Sequence, residues 1–191
     1  SKRAAMRVKE SITRFIEKTL YLKVNKEKTV VSYARGVKYL GYSFYMMKGK
    51  CQLTVHPKSK AKMKSRLKEL TSRSNGWGYA KRKQKLKEYI RGWVGYYHLA
   101  DMKSLLRKTD EWLRRRIRMC IWKAWKKPKT KVANLIKCGI NKYQAYEWGN
   151  TRKGYWRIAD SPILKRAIDN NKLRSAGYAT LMEAYLEWYP K

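Results

Sequence analysis

AKRKQKLKEYIRGWVGYYHL, residues 80–99, is the stretch on which the fold turns. Leu86, Tyr89, Ile90, Trp93, Val94 and Tyr97 recur at three- and four-residue spacing, the period of a helix that buries one stripe. Gly92 and Gly95 interrupt that stripe at a cost of up to ~1 kcal/mol each relative to Ala. Another backbone, of protein or nucleic acid, is therefore expected to approach the helix there.

Two further helices flank it. Residues 58–72 carry Met63, Leu67 and Leu70 on one side of a surface otherwise dominated by Lys and Arg, and SRSNGWG (72–78) follows as a loop. A third helix is expected from about 102 to 127, ending before Pro128. Stepping ~100° per residue places Met102, Leu106, Thr109, Leu113, Ile117, Cys120 and Ala124 on one face. Arg107, Glu111, Arg114, Arg118, Trp122 and Trp125 fall on a second, about a third of a turn away. The first face should bury against the other two helices. The second interleaves guanidinium groups with indoles, an arrangement suited to phosphates and to base or ribose surfaces. The alternative is a solvated charged face whose Trp residues are half-buried in the bundle.

Beyond Pro128 shorter helices are expected near 129–138, 141–148, 161–169 and 178–188. Among them lies GNTRKGYWRIADSP (149–162), a basic, aromatic loop, with Asp160 or Ser161 as helix cap and Pro162 in the first turn. Toward the other end, Ala5, Val8, Ile12, Phe15, Ile16 and Thr19 mark an amphipathic helix over 3–20 that should pack on one face. Residues 21–56 turn strand-like in LKVN, TVVSYA, VKYLGYSFYMM and CQLTVH, implying a hairpin or two closed by Pro57. The fold class is mainly α with a small β region: an N-terminal helix and short strands over 1–56, then a basic helical bundle with short C-terminal helices over 57–191.

Composition narrows the partner. Lys and Arg total 48 against 13 Asp and Glu, a net charge of +35, so compaction is opposed by self-repulsion that a polyanion relieves. Eight Trp, 15 Tyr and two Phe can stack on bases, which favours nucleic acid over acidic lipid or acidic protein. No apolar run approaches the roughly 20 residues of a membrane span. Cys51, Cys120 and Cys138 are odd in number and widely spaced, which disfavours structural zinc and a disulfide framework and fits a reducing compartment. His56 and His98 have no partner at metal-ligand spacing. Asp110 and Glu111 adjoin, but neighbouring helix positions diverge by about 100°, so they make no two-metal pair. On residues alone the chain reads as a binder and not as a catalyst.

LKVNKEKT (22–29), VKYLGYSF (37–44), IRGWVGYY (90–97), LRRRIRMCIWKAWKK (113–127) and SPILKRAIDNNKLRSAGY (161–178), in that order, resemble the C-terminal half of a bacterial group II intron-encoded reverse transcriptase and maturase. The resemblance implies that 1–56 is the end of the palm and that 57–191 is the thumb, or maturase-specific domain. It implies two partners, intron RNA and the RNA/DNA template–primer duplex, and a function in RNA-directed DNA synthesis, splicing and intron mobility. By the same resemblance Leu40, Gly41 and Tyr42 are primer-grip candidates and Lys28 a nucleotide-phosphate contact. Arg91, Arg114, Arg115, Arg118, Lys123, Lys126 and Lys127 become RNA contacts, joined by Trp122 and Trp125 from the helical face. The paired catalytic aspartates of such enzymes are expected upstream of Ser1, with the fingers and most of the palm. This chain alone is then expected to be inactive, with no cofactor of its own and Mg²⁺ serving the full-length polymerase. The implied location is the bacterial cytoplasm, in association with the nucleoid. A stand-alone structural RNA-binding protein is the competing class, and a sequence-specific DNA regulator a third. Replacing Arg114 and Arg118 together is expected to weaken RNA binding without unfolding the bundle.

Overall fold

The computed structural model describes residues 1–189. The chain divides into two compact units, Ser1–His56 and Pro57–Lys191.

In the first unit, α1 (Lys2–Lys18) begins at Ser1, whose hydroxyl accepts the Ala4 amide at 3.4 Å. None of its residues is buried, and Val8, Ile12 and Phe15 keep 53–57% of their surface in solvent. The one-sided packing expected of this helix is thus not found among the described residues. One hairpin forms where one or two were expected: β1 (Tyr42–Met47) pairs antiparallel with β2 (Lys50–Val55), from Tyr42↔Val55 to Met47↔Lys50. Lys48 and Gly49 connect them with φ of 50° and 75°, the doubly left-handed two-residue turn that suits the strand twist. Leu40 and Gly41 repeat the device at φ 49° and 84°, with Tyr39 and Tyr42 exchanging backbone hydrogen bonds of 3.1 and 2.8 Å across them. LKVN and TVVSYA are not strands; a 3₁₀ turn, Ala34–Gly36, begins on the last residue of the second. Their β-branched residues supply propensity, but a strand exists only where another edge completes its ladder.

The second unit is built on three long helices, α2 (Pro57–Leu70), α3 (Tyr79–Tyr97) and α4 (Lys103–Ala124). Their facing stripes are Met63, Leu67 and Leu70, then Leu86, Ile90 and Val94, then Leu106, Leu113 and Ile117, each at most 2% exposed. The expected face of α4 is buried from Met102 through Cys120, but Ala124 is exposed. Lys126, at φ 31°, turns the chain out of the helix before Pro128. No protein backbone among the described residues comes close to either glycine: a methyl group at Gly92 meets nothing within 4 Å, and one at Gly95 meets the Trp188 ring at 3.3 Å.

The remaining chain folds back as short helices. α5 (Pro128–Lys137) and α6 (Lys142–Gly149) pack as a pair through Val132, Leu135, Ala145 and Gly149. A methyl at Gly149 would lie 2.5 Å from Val132 Cγ2. Gly149→Ala is therefore expected to destabilise the fold by about 1–3 kcal/mol through overpacking, read as a lower melting midpoint. α7 (Tyr155–Ile158), α8 (Pro162–Ala167), α9 (Asn170–Ser175) and α10 (Leu181–Leu186) complete the unit. α7 lies inside the stretch expected to be a loop, and α9 was also unforeseen; at four and six residues they are too short for periodicity to register. Of the two cap candidates, Ser161 caps α8, its hydroxyl accepting the Leu164 amide at 3.3 Å. No described helix is long and apolar enough to cross a membrane.

Candidate nucleic-acid interface

Ile117, Arg118, Met119 and Cys120 are four consecutive buried residues of α4. A helix covered on one side cannot bury four in a row, so this part is enclosed by more than the three-helix core. Ala159 packs against Met119 and Cys120, and α7 makes direct contact with α4. The enclosure decides which cations of this helix can reach a ligand.

Arg118, expected on the RNA-facing side, is 6% exposed. Its Nε donates to the Ile168 carbonyl at 2.7 Å and its Nη2 to Asn170 Oδ1 at 3.0 Å. It ties α4 to the α8–α9 junction, so its donors are engaged within the bundle. Trp122, expected on the same face, is only 2% exposed and packs near Trp125 at 5.6 Å between ring centroids, with Lys131 Nζ 4.9 Å from its ring. Burying an indole this large gains more than leaving it on a wet face.

Arg115 occupies an intermediate position. Its guanidinium stacks 3.9 Å from the Trp156 ring centroid. Nε and Nη2 donate to the Trp156 carbonyl at 3.2 and 2.9 Å, and Nη1 lies 3.2 Å from Asp160 Oδ2. Lys165 reaches the other oxygen of Asp160 at 2.8 Å, and this bond, with Arg115 nearby, holds the Asp160 carboxyl below its usual range. Arg114 is half-buried and makes no hydrogen bond among the described residues, which leaves its donors for a ligand. Lys123 and Trp125 are half-buried, and Lys126 and Lys127 are exposed. Arg91 is exposed on α3, beside Glu187 and Trp188.

Residues that sequence reasoning passed over complete this surface. Trp112 lies between two cations, Lys64 Nζ and the Arg116 guanidinium, each 5.3 Å from its ring. Arg116 donates to the Lys68 and Thr71 carbonyls at 3.0 Å each and to Thr71 Oγ1 at 2.6 Å, satisfying the open C-terminal end of α2. Arg73 sits 5.1 Å from the Tyr155 ring and Lys153 4.7 Å from that of Trp148. The Trp112–Arg116 spacing of four was visible in the sequence. Its third member, Lys64, belongs to another helix and left no signal.

The Asp110 carboxylate is committed to another helix. Asp110, 3% exposed, accepts the Leu181 amide on Oδ1 and the Met182 amide on Oδ2, both at 2.9 Å. Both oxygens thus serve the N-terminus of α10, and among the described residues no group of three His, Cys, Asp or Glu is placed to hold a metal ion. Cys120 donates its thiol to the Thr71 carbonyl at 3.2 Å, and burial pushes its pKa up.

In the first unit, Leu40 and Gly41 form the turn that leads into β1 and Tyr42 is the first residue of that strand, with the Leu40 side chain 64% exposed. Lys28 lies in a turn organised by Asn25, whose side chain accepts the Lys28 amide at 3.0 Å, and its own side chain is exposed.

The second unit is therefore a strongly cationic bundle of mainly α-helical structure, with indoles held against guanidinium and ammonium groups on its surface. Residues 60–139, spanning nearly all of α2 through α5, match the family of the group II intron, maturase-specific domain. The match supports a role related to group II intron maturation for this part of the chain. No curated protein matches the chain.

Proposed function

We propose that this chain is the RNA-binding thumb and maturase portion of a group II intron reverse transcriptase. On this reading it grips intron RNA to support splicing, and the template–primer duplex to support RNA-directed DNA synthesis and intron mobility. The observation that carries the proposal is the coincidence of the maturase-specific match over 60–139 with a surface whose cations are fixed against indoles. Held side chains lose less entropy on engaging a phosphate than free ones, and an A-form duplex offers mostly phosphates, ribose hydroxyls and shape. Arg114, Lys123, Lys126, Lys127 and Arg91 are the contacts assigned to RNA in the second unit. Leu40, Gly41 and Tyr42 at the tight turn are assigned to the primer strand, and Lys28 to a nucleotide phosphate. Polymerization itself is assigned to the remainder of the enzyme, with Mg²⁺ bound there.

The test is binding of this chain to group II intron RNA and to an unrelated structured RNA of equal length, across a salt titration. Tighter binding to the intron, with log affinity falling steeply against log salt, is expected. Lys126→Ala with Lys127→Ala should flatten that slope by roughly one for each phosphate no longer neutralised. Equal affinity for both RNAs would remove intron recognition from these residues, and a salt-independent affinity would remove the electrostatic basis of the proposal.

A further inference from the structure

Between α4, α7 and the start of α8–α9 lies an open cleft of ≈ 550 Å³, within the roughly 300–1,000 Å³ typical of small-ligand sites. Trp156 forms part of its wall and remains 39% exposed, although one face of its ring is covered by Arg115. Three polar contacts to the Trp156 carbonyl and Asp160 lock that guanidinium, so the indole is braced from behind. A braced, half-exposed indole in a concave site costs little entropy to stack upon.

The charges of the cleft point the same way. Asp160 is neutralised by Arg115 and Lys165, and Asp169 is occupied in capping α9 through the Lys172 amide at 2.8 Å. Lys108 and Arg114, also in the lining, make no hydrogen bond or ion pair among the described residues. Their charge faces one acid without such a partner, Glu111. An aromatic platform beside two uncommitted cations matches one base and its phosphate. A paired base, stacked on both faces within a helix, cannot present itself to an indole in a cleft.

We infer that this cleft takes a single unpaired nucleotide of the bound RNA, its base stacked on Trp156 and its phosphate held by Arg114 and Lys108. The inference rests on the RNA-binding reading above and adds to it a site that distinguishes irregular RNA from continuous duplex. Trp156 is then a specificity-determining residue and Arg115 the residue that positions it.

The test compares two RNA hairpins that differ only by one bulged 5-iodouridine in the stem. Trp156→Ala is expected to weaken binding of the bulged hairpin about tenfold, the scale of one base–aromatic stack, and that of the fully paired stem less than twofold. Trp156→Phe should restore most of the difference. Irradiation of the unaltered protein with the bulged hairpin should cross-link the iodouridine to the peptide containing Trp156, a readout independent of how the variants fold. Equal losses for both hairpins, no loss for either, or cross-links confined to other peptides would each overturn the inference. If the unaltered protein binds neither hairpin in a salt-dependent way, the RNA-binding reading fails before the cleft is reached.

Discussion

Arg118→Ala is expected to destabilise the second unit by about 2–4 kcal/mol, enough to lower its melting midpoint by roughly 5–15 °C. The side chain is 6% exposed and serves the Ile168 carbonyl and the Asn170 side chain. Removing it strands a buried carbonyl that water cannot easily reach, and it deletes the stem packed beneath the guanidinium. Arg118→Lys should recover only part of the loss, because a single ammonium cannot reproduce two donors in a planar fork. Arg114→Ala, one helical turn away, should leave the midpoint nearly unchanged and weaken RNA binding. Thermal melts and RNA titrations on the two single variants separate these roles. An Arg118→Ala protein that melts like the parent but binds RNA poorly would return Arg118 to the binding face.

Asp110→Ala is the second large effect, at about 2–4 kcal/mol. Asp110 supplies both oxygens to the first amides of α10, and without it one buried and one part-buried N–H lose their acceptor. The buried Leu181, Ala184 and Tyr185 dock through that helix, so hydrogen exchange should rise first over 181–186. The pH dependence has a definite sign. Desolvation raises the Asp110 pKa above its usual value, against the opposing pull of the two amides. The folded state then holds this proton more tightly than the unfolded state. Stability contributed through this group is complete below the unfolded pKa and declines as pH rises through the elevated folded one. Subtracting the pH profile of Asp110→Asn from that of the parent isolates the slope. A difference that increases with pH across that acidic window would contradict the burial argument.

The three long helices were legible because each presents a stripe of large apolar residues over 14 to 22 positions, long enough for the period to emerge. The single hairpin was legible in YLGYSFYMM and CQLTV, but LKVN and TVVSYA show that β-branched composition does not reveal whether a partner strand exists. The surface was half legible. Helical geometry put Arg114, Arg118 and Trp122 on one face, yet Arg114 keeps part of its surface in solvent while Arg118 and Trp122 are buried. Whether Arg118 meets solvent depends on Ile168 and Asn170, far along the sequence, and Trp122 is flanked by Lys131 beyond the end of the helix. Helix periodicity is local and carries no information about what covers a face. Trp156 lies inside a basic, aromatic stretch, yet its pairing with Arg115 spans 41 residues and could not be read from spacing.

The bonds that close this bundle also set its order of assembly. Arg118 reaches a carbonyl 50 positions onward, Asp110 an amide 71 onward, and the Tyr189 hydroxyl returns to the His98 carbonyl across 91. Such long closures are slow to form, because the intervening chain must be ordered before any of them stabilises the product. During synthesis, α4 leaves the ribosome well before its covering segments, with Arg118 and Trp122 still uncovered. A ribosome stalled before residue 155 would therefore hold a nascent chain whose charged helix is complete but unsheathed, a species especially prone to bind any polyanion nearby.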